Sequence, residues 1–239
     1  MTSELYSTNL LNMNAATHRE FKDRLFEQFA RIGKALASPK RLEIVDLLAQ
    51  GERTVEEIAR ETAMSVASAS QHLQALKAAR MVAARRQGLY AHYRLADEDV
   101  FRTWQAVRAL AESRLSEVDR VVEAYLVDRD ALEAVDATEL MERLSNGKVT
   151  VLDVRPEEEY RAGHMPGALS VPVDTLEAAL QTLPRDREIV AYCRGPYCVF
   201  SDEAVAVLRS HGYRARRLRQ GLPDWRAAGY PIESEMQVS

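Results

Sequence analysis

The first part of the chain places apolar residues at every third or fourth position, which is the spacing of one face of an α-helix. This pattern predicts a first helix over residues 17–36, whose apolar stripe consists of Phe21, Leu25, Phe29, Ile32 and Leu36. Ser38 and Pro39 are typical of an N-cap and a first helical position. They predict a second helix that ends at Gly51.

Two shorter helices follow, each marked by its capping residue. Thr54 with Glu57 three positions later is a capping-box pattern, which predicts a helix over residues 55–61. Ser65 is the expected N-cap of a fourth helix that continues to about Arg80. Two short helices around such a turn are typical of a helix-turn-helix.

After Met81 the apolar positions alternate, as they do in β-strands. Short runs over residues 82–86 and 90–95 enclose Gln87 and Gly88, a pair typical of a hairpin turn. A helix-turn-helix followed by a hairpin predicts a winged helix-turn-helix, so we expect a mainly α N-terminal domain.

The fourth helix carries different side chains on its two faces. One stripe is expected to face the core and consists of Val66, Ala69, Leu73 and Leu76. The opposite face is small and polar, which suits insertion into the major groove of DNA, where glutamine can pair with adenine. The candidate DNA-binding residues of this helix are Ser68, Ser70, Gln71 and Gln74.

Local charge favours the same interpretation. The whole chain has 32 Lys and Arg against 36 Asp and Glu, a net charge of -4. Residues 65–95, however, contain five basic residues and no carboxylate. Lys77, Arg85 and Arg86 are therefore candidate contacts to DNA phosphates or the minor groove. For each residue alone, a solvated surface position is the better interpretation, but charge, helix order and hairpin together favour DNA binding.

A long helix is predicted over residues 98–127. Its apolar positions alternate in steps of three and four, a coiled-coil-like seam that needs a partner. We expect this seam and the first helix to form a homodimer interface, whose two-fold symmetry suits a palindromic operator. The alternative is packing of the seam against a second domain. The seam consists of Phe101, Trp104, Arg108, Ala111, Leu115, Val118, Val122 and Tyr125.

Residues 36–95 resemble the ArsR/SmtB family of winged-helix bacterial repressors through three segments, LASPKRLEIVDLL, SVASASQHLQALKAARMV and RRQGLYAHYRL. The resemblance implies that the fourth helix reads operator DNA, that the terminal helices dimerise and that an inducer lowers operator affinity. The metal ligands of the family are absent, since residues 52–55 read ERTV where the family has Cys-x-Cys, and the long helix has no histidine. We therefore predict no metal site.

The second half of the chain alternates short apolar strands with helical segments, which predicts an α/β domain with a mostly parallel sheet. The expected strands are 149–154, 169–171 and 188–192, and the expected helices are 156–161, 175–183, 199–211 and 221–228. Because 239 residues suit two domains, we expect a DNA-binding and dimerisation domain over 17–127 and a second domain over 138–232. Residues 128–137 are the predicted charged linker.

A loop with the sequence CRGPYC follows the predicted strand 188–192. In parallel sheets chemistry is found at the carboxyl ends of strands, and Cys193 lies at such an end. Gly195 and Pro196 suit a curled loop with inward-pointing amides, which, beside a helix N-terminus, would lower the pKa of the Cys193 thiol. Arg194 adds a flexible cation. The alternative for Cys193 is a small buried apolar side chain.

This half resembles the rhodanese family over about residues 138–232, through the loop and the motifs LDVR, GHMPGA and GLPDW. The resemblance implies that Cys193 is a nucleophile that cycles between thiolate and persulfide. The implied sulfur cradle is the loop backbone of Arg194, Gly195, Pro196, Tyr197 and Cys198. Structural rather than acid-base roles are implied for Asp153, Arg155, His164 and Trp225.

Cys198 departs from the family pattern, in which Ser, Thr or Arg is frequent at this position. A second thiol could resolve a persulfide on Cys193 into a disulfide or polysulfide bridge. The alternative is an inert replacement of serine. The sequence leaves the choice open, because a bridge needs Cα atoms within about 7 Å of each other.

Composition narrows the cellular setting. The mean hydropathy is -0.31, and no apolar run approaches the roughly 18 residues of a membrane span. The first 17 residues lack the pattern of a secretory signal, so we expect a cytoplasmic protein with no membrane partner. Two cysteines are too few for a disulfide-rich scaffold, and no cofactor is predicted.

These features predict a homodimeric transcriptional regulator, expected to act as a repressor on operator DNA. Sulfane sulfur accepted on Cys193 from thiosulfate, polysulfide or persulfide would alter its DNA affinity. One alternative is a sulfurtransferase enzyme with an accessory DNA-binding domain. Another is an arsenic- or antimony-responsive repressor that uses Cys193 and Cys198 as thiolate ligands.

Overall fold

A computed structural model describes residues 15–126 and 134–235. The first domain is a mainly α winged helix-turn-helix, which confirms the predicted fold class. Its elements are α1 (Ala15–Leu36), α2 (Pro39–Leu48), β1 (Arg53–Thr54), α3 (Val55–Glu61), α4 (Val66–Ala78), β2 (Val82–Gln87), β3 (Tyr90–Leu95), α5 (Glu98–Arg114) and α6 (Ser116–Tyr125).

Local capping fixes the helix-turn-helix. The Thr54 hydroxyl accepts a hydrogen bond from Glu57 N, and the Glu57 carboxylate accepts one from Thr54 N, which completes the predicted capping box. The Ser65 hydroxyl accepts a hydrogen bond from Ser68 N at the start of α4. Leu73 and Leu76 of α4 are fully buried, but Val66, which we expected in the same core stripe, is 47% exposed at the first helical position.

The wing is an antiparallel hairpin. β2 pairs with β3 along its whole length, and β1 adds a short third strand on the other side of β3. Gly88 has a φ of +60° in the connecting turn, a conformation that glycine adopts without a steric cost. The predicted hairpin is confirmed.

The predicted single helix over 98–127 is wrong at Leu115. This residue has φ -115° and ψ 98°, an extended conformation that ends α5 and precedes α6; residue 127 lies outside the described part of the chain. The two ends of the seam also differ in environment. Phe101 is buried and Trp104 packs on the core of its own domain, whereas Tyr125 is 83% exposed.

The second domain is a five-stranded sheet with the order β4-β8-β7-β5-β6, and all four strand pairs are parallel. This confirms the predicted α/β fold. Its strands are β4 (Ala134–Val135), β5 (Val149–Asp153), β6 (Leu169–Ser170), β7 (Glu188–Tyr192) and β8 (Ala215–Leu218). Its α-helices are α7 (Ala137–Ser145), α8 (Glu157–Ala162), α9 (Leu176–Ala179), α10 (Val199–Ser210) and α11 (Leu222–Ala227).

Two apolar clusters cover the two faces of this sheet. Val151 and Val190 belong to one cluster, and their chain neighbours Leu152 and Ala191 belong to the other, as expected from the alternation of side chains along a strand. Cys193 continues the second cluster, together with residues of α10. The loop that begins at Cys193 therefore starts directly at the packed core of this domain.

Two expectations for this domain were wrong in detail, and three elements, including β4, were not predicted. The predicted linker 128–137 ends earlier, because Ala134–Val135 pairs with β8 and Ala137 begins α7; residues 128–133 of the linker lie outside the described residues. The predicted helix over 175–183 is instead α9 flanked by 3-10 turns at Val173–Thr175 and Leu180–Thr182. Neither β8 nor α7 was predicted. Across the described ranges, no helix combines the length and the apolar character that crossing a bilayer requires.

Candidate functional site

The loop between β7 and α10 holds both cysteines. β7 ends at Tyr192, and Cys198 is the N-cap of α10. Cys198 N donates to the carbonyl of Gly195 over 3.2 Å, which closes a turn at the end of the loop. The φ of Gly195 lies outside the left-handed region, so this turn does not require glycine for its backbone angle.

The two cysteine sulfurs are joined in a disulfide. Their Cα atoms are 6.2 Å apart, within the range that a bridge needs. Cys193 is only 2% exposed and lies in the apolar cluster under α10. The bridge occupies the sulfur that loop amides were expected to hold, so the amide cradle stays a prediction for the reduced loop.

Arg194 is held in ion pairs rather than free in the loop as a flexible cation. Its guanidinium donates to Glu159 of α8 and, with Nη2 2.9 Å from Oε2, to Glu61 of α3. Burial acts to lower the pKa of Arg194, but the two carboxylates outweigh burial and raise it. The residue next to Cys193 is therefore tied to the helix-turn-helix.

A compact set of charges surrounds that contact. Arg53 of β1 donates to the fully buried Glu159 carboxylate over 2.8 Å. Gln50 lies between the domains, because its amide nitrogen donates to the Arg194 carbonyl and its amide oxygen accepts from Arg155. Two Arg and two Glu thus balance their charges where the loop meets the first domain, as buried ions require.

The residues with expected structural roles are buried in the second domain. Arg155 is fully buried and donates to both oxygens of Asp153, to the Gly163 carbonyl and to Gln50. His164 stacks on Tyr160 with ring centroids 3.8 Å apart, and its Nδ1 is 2.8 Å from the Tyr160 carbonyl. The indole N-H of Trp225 donates to the Pro231 carbonyl.

The turn before α11 packs closely against the backbone of the cysteine-containing loop. A Cβ atom on Gly221 would overlap the backbone of Arg194 and Gly195, so only glycine fits this approach. Gly221 N donates to the Asp224 carboxylate, which also accepts from Arg108 and Gln105 of α5. This turn therefore contacts both the loop and the first domain.

A cavity of about 560 Å³ separates the loop from α2 and α5. Asp46 and Trp104 line the first-domain side, and the indole N-H donates to Asp46 over 2.9 Å. Burial raises the pKa of Asp46 despite that hydrogen bond and the nearby Arg108. Cys198 borders the cavity from the other side.

The candidate DNA-binding residues lie on α4 and on strand β2 of the wing. Gln71, Gln74 and Lys77 are exposed on α4, whereas Ser68 and Ser70 are half-buried. On the wing, Arg86 is exposed, but Arg85 donates to Glu52 over 2.6 Å. The sequence count of carboxylates over 65–95 missed this pairing because Glu52 lies outside that window.

An apolar surface runs along α1. Phe21, Leu25, Phe29 and Ile32 form one strip with steps of three or four positions and are 56%, 37%, 59% and 39% exposed. Phe26, 65% exposed, extends the strip to one side through its ring contact with Phe29. Part of the predicted α5 seam is used inside the chain, since Arg108 contacts Asp224 of the second domain. The α1 strip therefore stays the better candidate for an interface between chains.

Sequence reasoning missed the residues that join the two halves of this site. Gln50, Glu61 and Glu159 are ordinary polar residues of predicted helices, and nothing in their local pattern indicates burial. Gly221 and Asp224 lie in the GLPDW motif. The motif contributed to the family resemblance, but the sequence indicated no contact for either residue. A glycine at the first position of the predicted helix 221–228 was the available signal for the close approach of the loop.

Comparison with known proteins agrees with both halves. Residues 38–84 match the family described as bacterial regulatory protein, arsR family, and residues 136–228 match the rhodanese-like domain. The HTH-type transcriptional regulator Rv0324 of Mycobacterium tuberculosis is 48% identical over 217 residues, which cover 91% of this chain and 95% of that protein.

Two further relatives resemble one half each. A sulfurtransferase of Allochromatium vinosum is 34% identical over 100 residues, which cover 41% of this chain and 92% of that protein. A solved structure of the homodimeric winged helix-turn-helix DNA-binding domain Mb0332 (fragment 1-100) from Mycobacterium bovis has 52% identity, a TM-score of 0.38, and coverage of 39% of this chain and 87% of its own.

The fold and these matches define a transcriptional regulator in which an ArsR-type winged helix-turn-helix is joined to a rhodanese-like domain. The chain belongs to the family of HTH-type transcriptional regulators that includes Rv0324. In the part of the chain that the structure describes, no group of three or more His, Cys, Asp or Glu residues could hold a metal ion.

Proposed function

We propose that this regulator responds to sulfane sulfur, and that sulfur accepted on Cys193 weakens its binding to operator DNA. The supporting observation is the ion pair between Arg194, the neighbour of Cys193, and Glu61 of α3. A chemical change in the loop thereby reaches the helix-turn-helix directly, without passing through the linker.

The sulfur step requires the loop in its reduced form. The Cys193 thiolate attacks the outer sulfur of thiosulfate and forms a new sulfur-sulfur bond, while the sulfur-sulfur bond of thiosulfate breaks and sulfite leaves with the electron pair. A polysulfide reacts in the same way and leaves as a shorter polysulfide. The positive end of the α10 dipole stabilises both the thiolate and the persulfide anion.

On DNA, α4 would lie in the major groove, with Gln71 and Gln74 at base edges and Ser68, Ser70 and Lys77 beside them. Arg86 would contact the backbone next to the wing, and Arg85 would join it once released from Glu52. Two copies would associate through the apolar strip of α1, which gives the two-fold symmetry that a palindromic operator requires.

Coupling between sulfur and DNA would pass through the contacts of Arg194 and Gln50 with the first domain. α3 packs against the reading helix α4, so a displacement of Glu61 reaches the DNA-binding surface. A tenfold change in operator affinity needs only about 1.4 kcal/mol of differential stability. One rearranged ion pair in a buried cluster is sufficient for an effect of that size.

The test is operator binding by fluorescence anisotropy with a fragment of the chain's own promoter, before and after polysulfide treatment. The wild type should lose at least about tenfold in affinity, and Cys193→Ser should not respond. Cys198→Ser is the matched control, because it keeps the proposed nucleophile and should still respond. A Cys193→Ser protein that releases DNA as the wild type does would refute the proposal.

An enzymatic role is the second candidate, favoured by the likeness to the A. vinosum sulfurtransferase along 92% of that protein. In that case Cys193 would pass its sulfur to a thiol or cyanide acceptor in repeated cycles. Steady-state turnover with thiosulfate and an acceptor supports the enzyme. A single round of loading that stops at one sulfur per chain supports the regulator.

A further inference from the structure

The two sulfurs of the bridge differ in access. Cys193 is buried among apolar side chains of the sheet and α10, including Leu152 and Ala204. Cys198 is half-buried and borders the cavity between the domains. A reagent that reaches the bridge through this cavity therefore meets Cys198 first.

The cavity has room for a small molecule between walls that are mostly apolar and carry a few charged groups. Its volume of about 560 Å³ lies within the range of small-molecule sites. Asp46 and Arg108 contribute charges of opposite sign to its wall, and Trp104 contributes an aromatic face. Its other wall is the loop itself, so a molecule bound there lies against the cysteine-containing turn.

We propose that this cavity is an entry site for a small thiol or hydrosulfide, and that Cys198 is the sulfur it attacks in the bridged protein. The incoming thiolate forms a bond to Cys198 Sγ. The bond between the two cysteine sulfurs breaks, and its electron pair leaves with Cys193 Sγ as a thiolate. A thiol enters as the thiolate after losing its proton to solvent, so atoms and electrons balance.

This step would deepen the proposed function, because it converts the bridged chain into one with a free Cys193 nucleophile. An organic thiol leaves a mixed disulfide on Cys198. Hydrosulfide leaves a persulfide on the same residue. The first domain contributes half of the entry site, which makes access to the sulfur chemistry dependent on how the two domains are arranged.

Site-resolved trapping tests this assignment without DNA or sulfane sulfur, so its result is independent of the regulatory proposal. The full chain is oxidised with diamide, then treated with limiting glutathione or sodium hydrosulfide in the presence of iodoacetamide. Trypsin cleaves after Arg194 and separates the two cysteines into different peptides. Mass spectrometry then identifies which cysteine carries the alkyl group and which carries the added thiol or sulfur.

With glutathione, we expect the alkyl group on Cys193 and the glutathione adduct on Cys198 in at least about a tenfold excess. With hydrosulfide, both cysteines are alkylated, and we expect the added sulfur, itself alkylated, on Cys198 in the same excess. The reverse distribution, or an equal one, overturns the assignment. Failure of diamide to form the bridge also overturns it, since the bridge is the proposed substrate.

Closing the cavity mouth tests the route. Glu43 lines the cavity and is exposed, so Glu43→Trp should narrow the entry and slow bridge opening by glutathione about tenfold while leaving the smaller hydrosulfide nearly unaffected. Glu56→Trp, an exposed position on α3 away from the cavity, is the control. Equal rates of glutathione attack in Glu43→Trp, Glu56→Trp and wild type would contradict entry through the cavity.

Discussion

The guanidinium of Arg194 lies 2.9 Å from the carboxylate of Glu61, two residues that are 133 positions apart in the chain. The contact joins the loop that carries Cys193 to the first helix of the helix-turn-helix. It gives the second domain a physical means of influencing the first, because a movement of the loop that exceeds the reach of the Arg194 side chain displaces Glu61 or breaks the pair.

The Glu61→Gln variant should uncouple sulfur from DNA. Loss of the carboxylate charge weakens the pair with Arg194, so sulfur loading should change operator affinity by less than about threefold, against at least about tenfold in the wild type. Glu56→Gln changes an exposed carboxylate on the same helix and serves as the control. A Glu61→Gln protein with the full response would show that the coupling takes another route.

The Gly221→Ala variant should disturb the loop. The added methyl group overlaps the backbone of Arg194 and Gly195, and relief requires a shift that costs about 1–3 kcal/mol of unfolding free energy. Thermal unfolding measures the cost, and mass spectrometry measures the expected loss of sulfur loading on Cys193. Gly33→Ala, at a helical position with open space around it, should be neutral or slightly stabilising. If Gly221→Ala takes up sulfur on Cys193 as the wild type does, the close approach of Gly221 to the loop is not needed for sulfur loading.

Two substitutions on α4 should separate base reading from phosphate binding. Gln71→Ala should cost about 1–3 kcal/mol on the operator and leave the salt dependence unchanged, whereas Lys77→Ala should weaken binding to all sequences and reduce the salt slope by about one. Anisotropy titrations at several salt concentrations measure both quantities. If Gln71→Ala binds operator and random DNA like the wild type, α4 does not read bases at this position.

The Phe29→Glu variant should dissociate the proposed dimer. A charge in the centre of an apolar interface must be desolvated without a partner, so sedimentation should show a monomer with weakened operator binding. Arg24→Glu alters the charge on a different face of α1, since the two positions differ by about 140° around the helix, and should leave the assembly intact. An unchanged sedimentation coefficient in Phe29→Glu would place the interface elsewhere.

Local signals in the sequence predicted the elements that local forces determine. Thr54 and Glu57 cap α3 with atoms three residues apart, and β7 was predicted with its observed ends because a continuous apolar run is typical of a buried parallel strand. The winged helix and the parallel sheet follow from such signals taken in order.

Features that depend on distant partners escaped prediction. β8 has the sequence ARRL, and its arginines are typical of a surface, yet Arg216 and Arg217 extend to Glu188 and Asp202 while the strand pairs with β7. The break at Leu115 has no proline or glycine to mark it. Arg194 was predicted as a free cation because Glu159 reaches it only when the second domain folds, and Glu61 reaches it only when the two domains pack together.

The most direct test of the regulatory proposal uses Cys198→Ser, in which a persulfide on Cys193 cannot be resolved into a bridge. The fraction of chains that carry one added sulfur is measured by intact mass spectrometry, and the operator Kd is measured on the same sample. We predict that the fraction of operator released rises in proportion to the loaded fraction. An operator Kd that stays constant from unloaded to fully loaded protein would contradict the proposed link between sulfur on Cys193 and DNA binding.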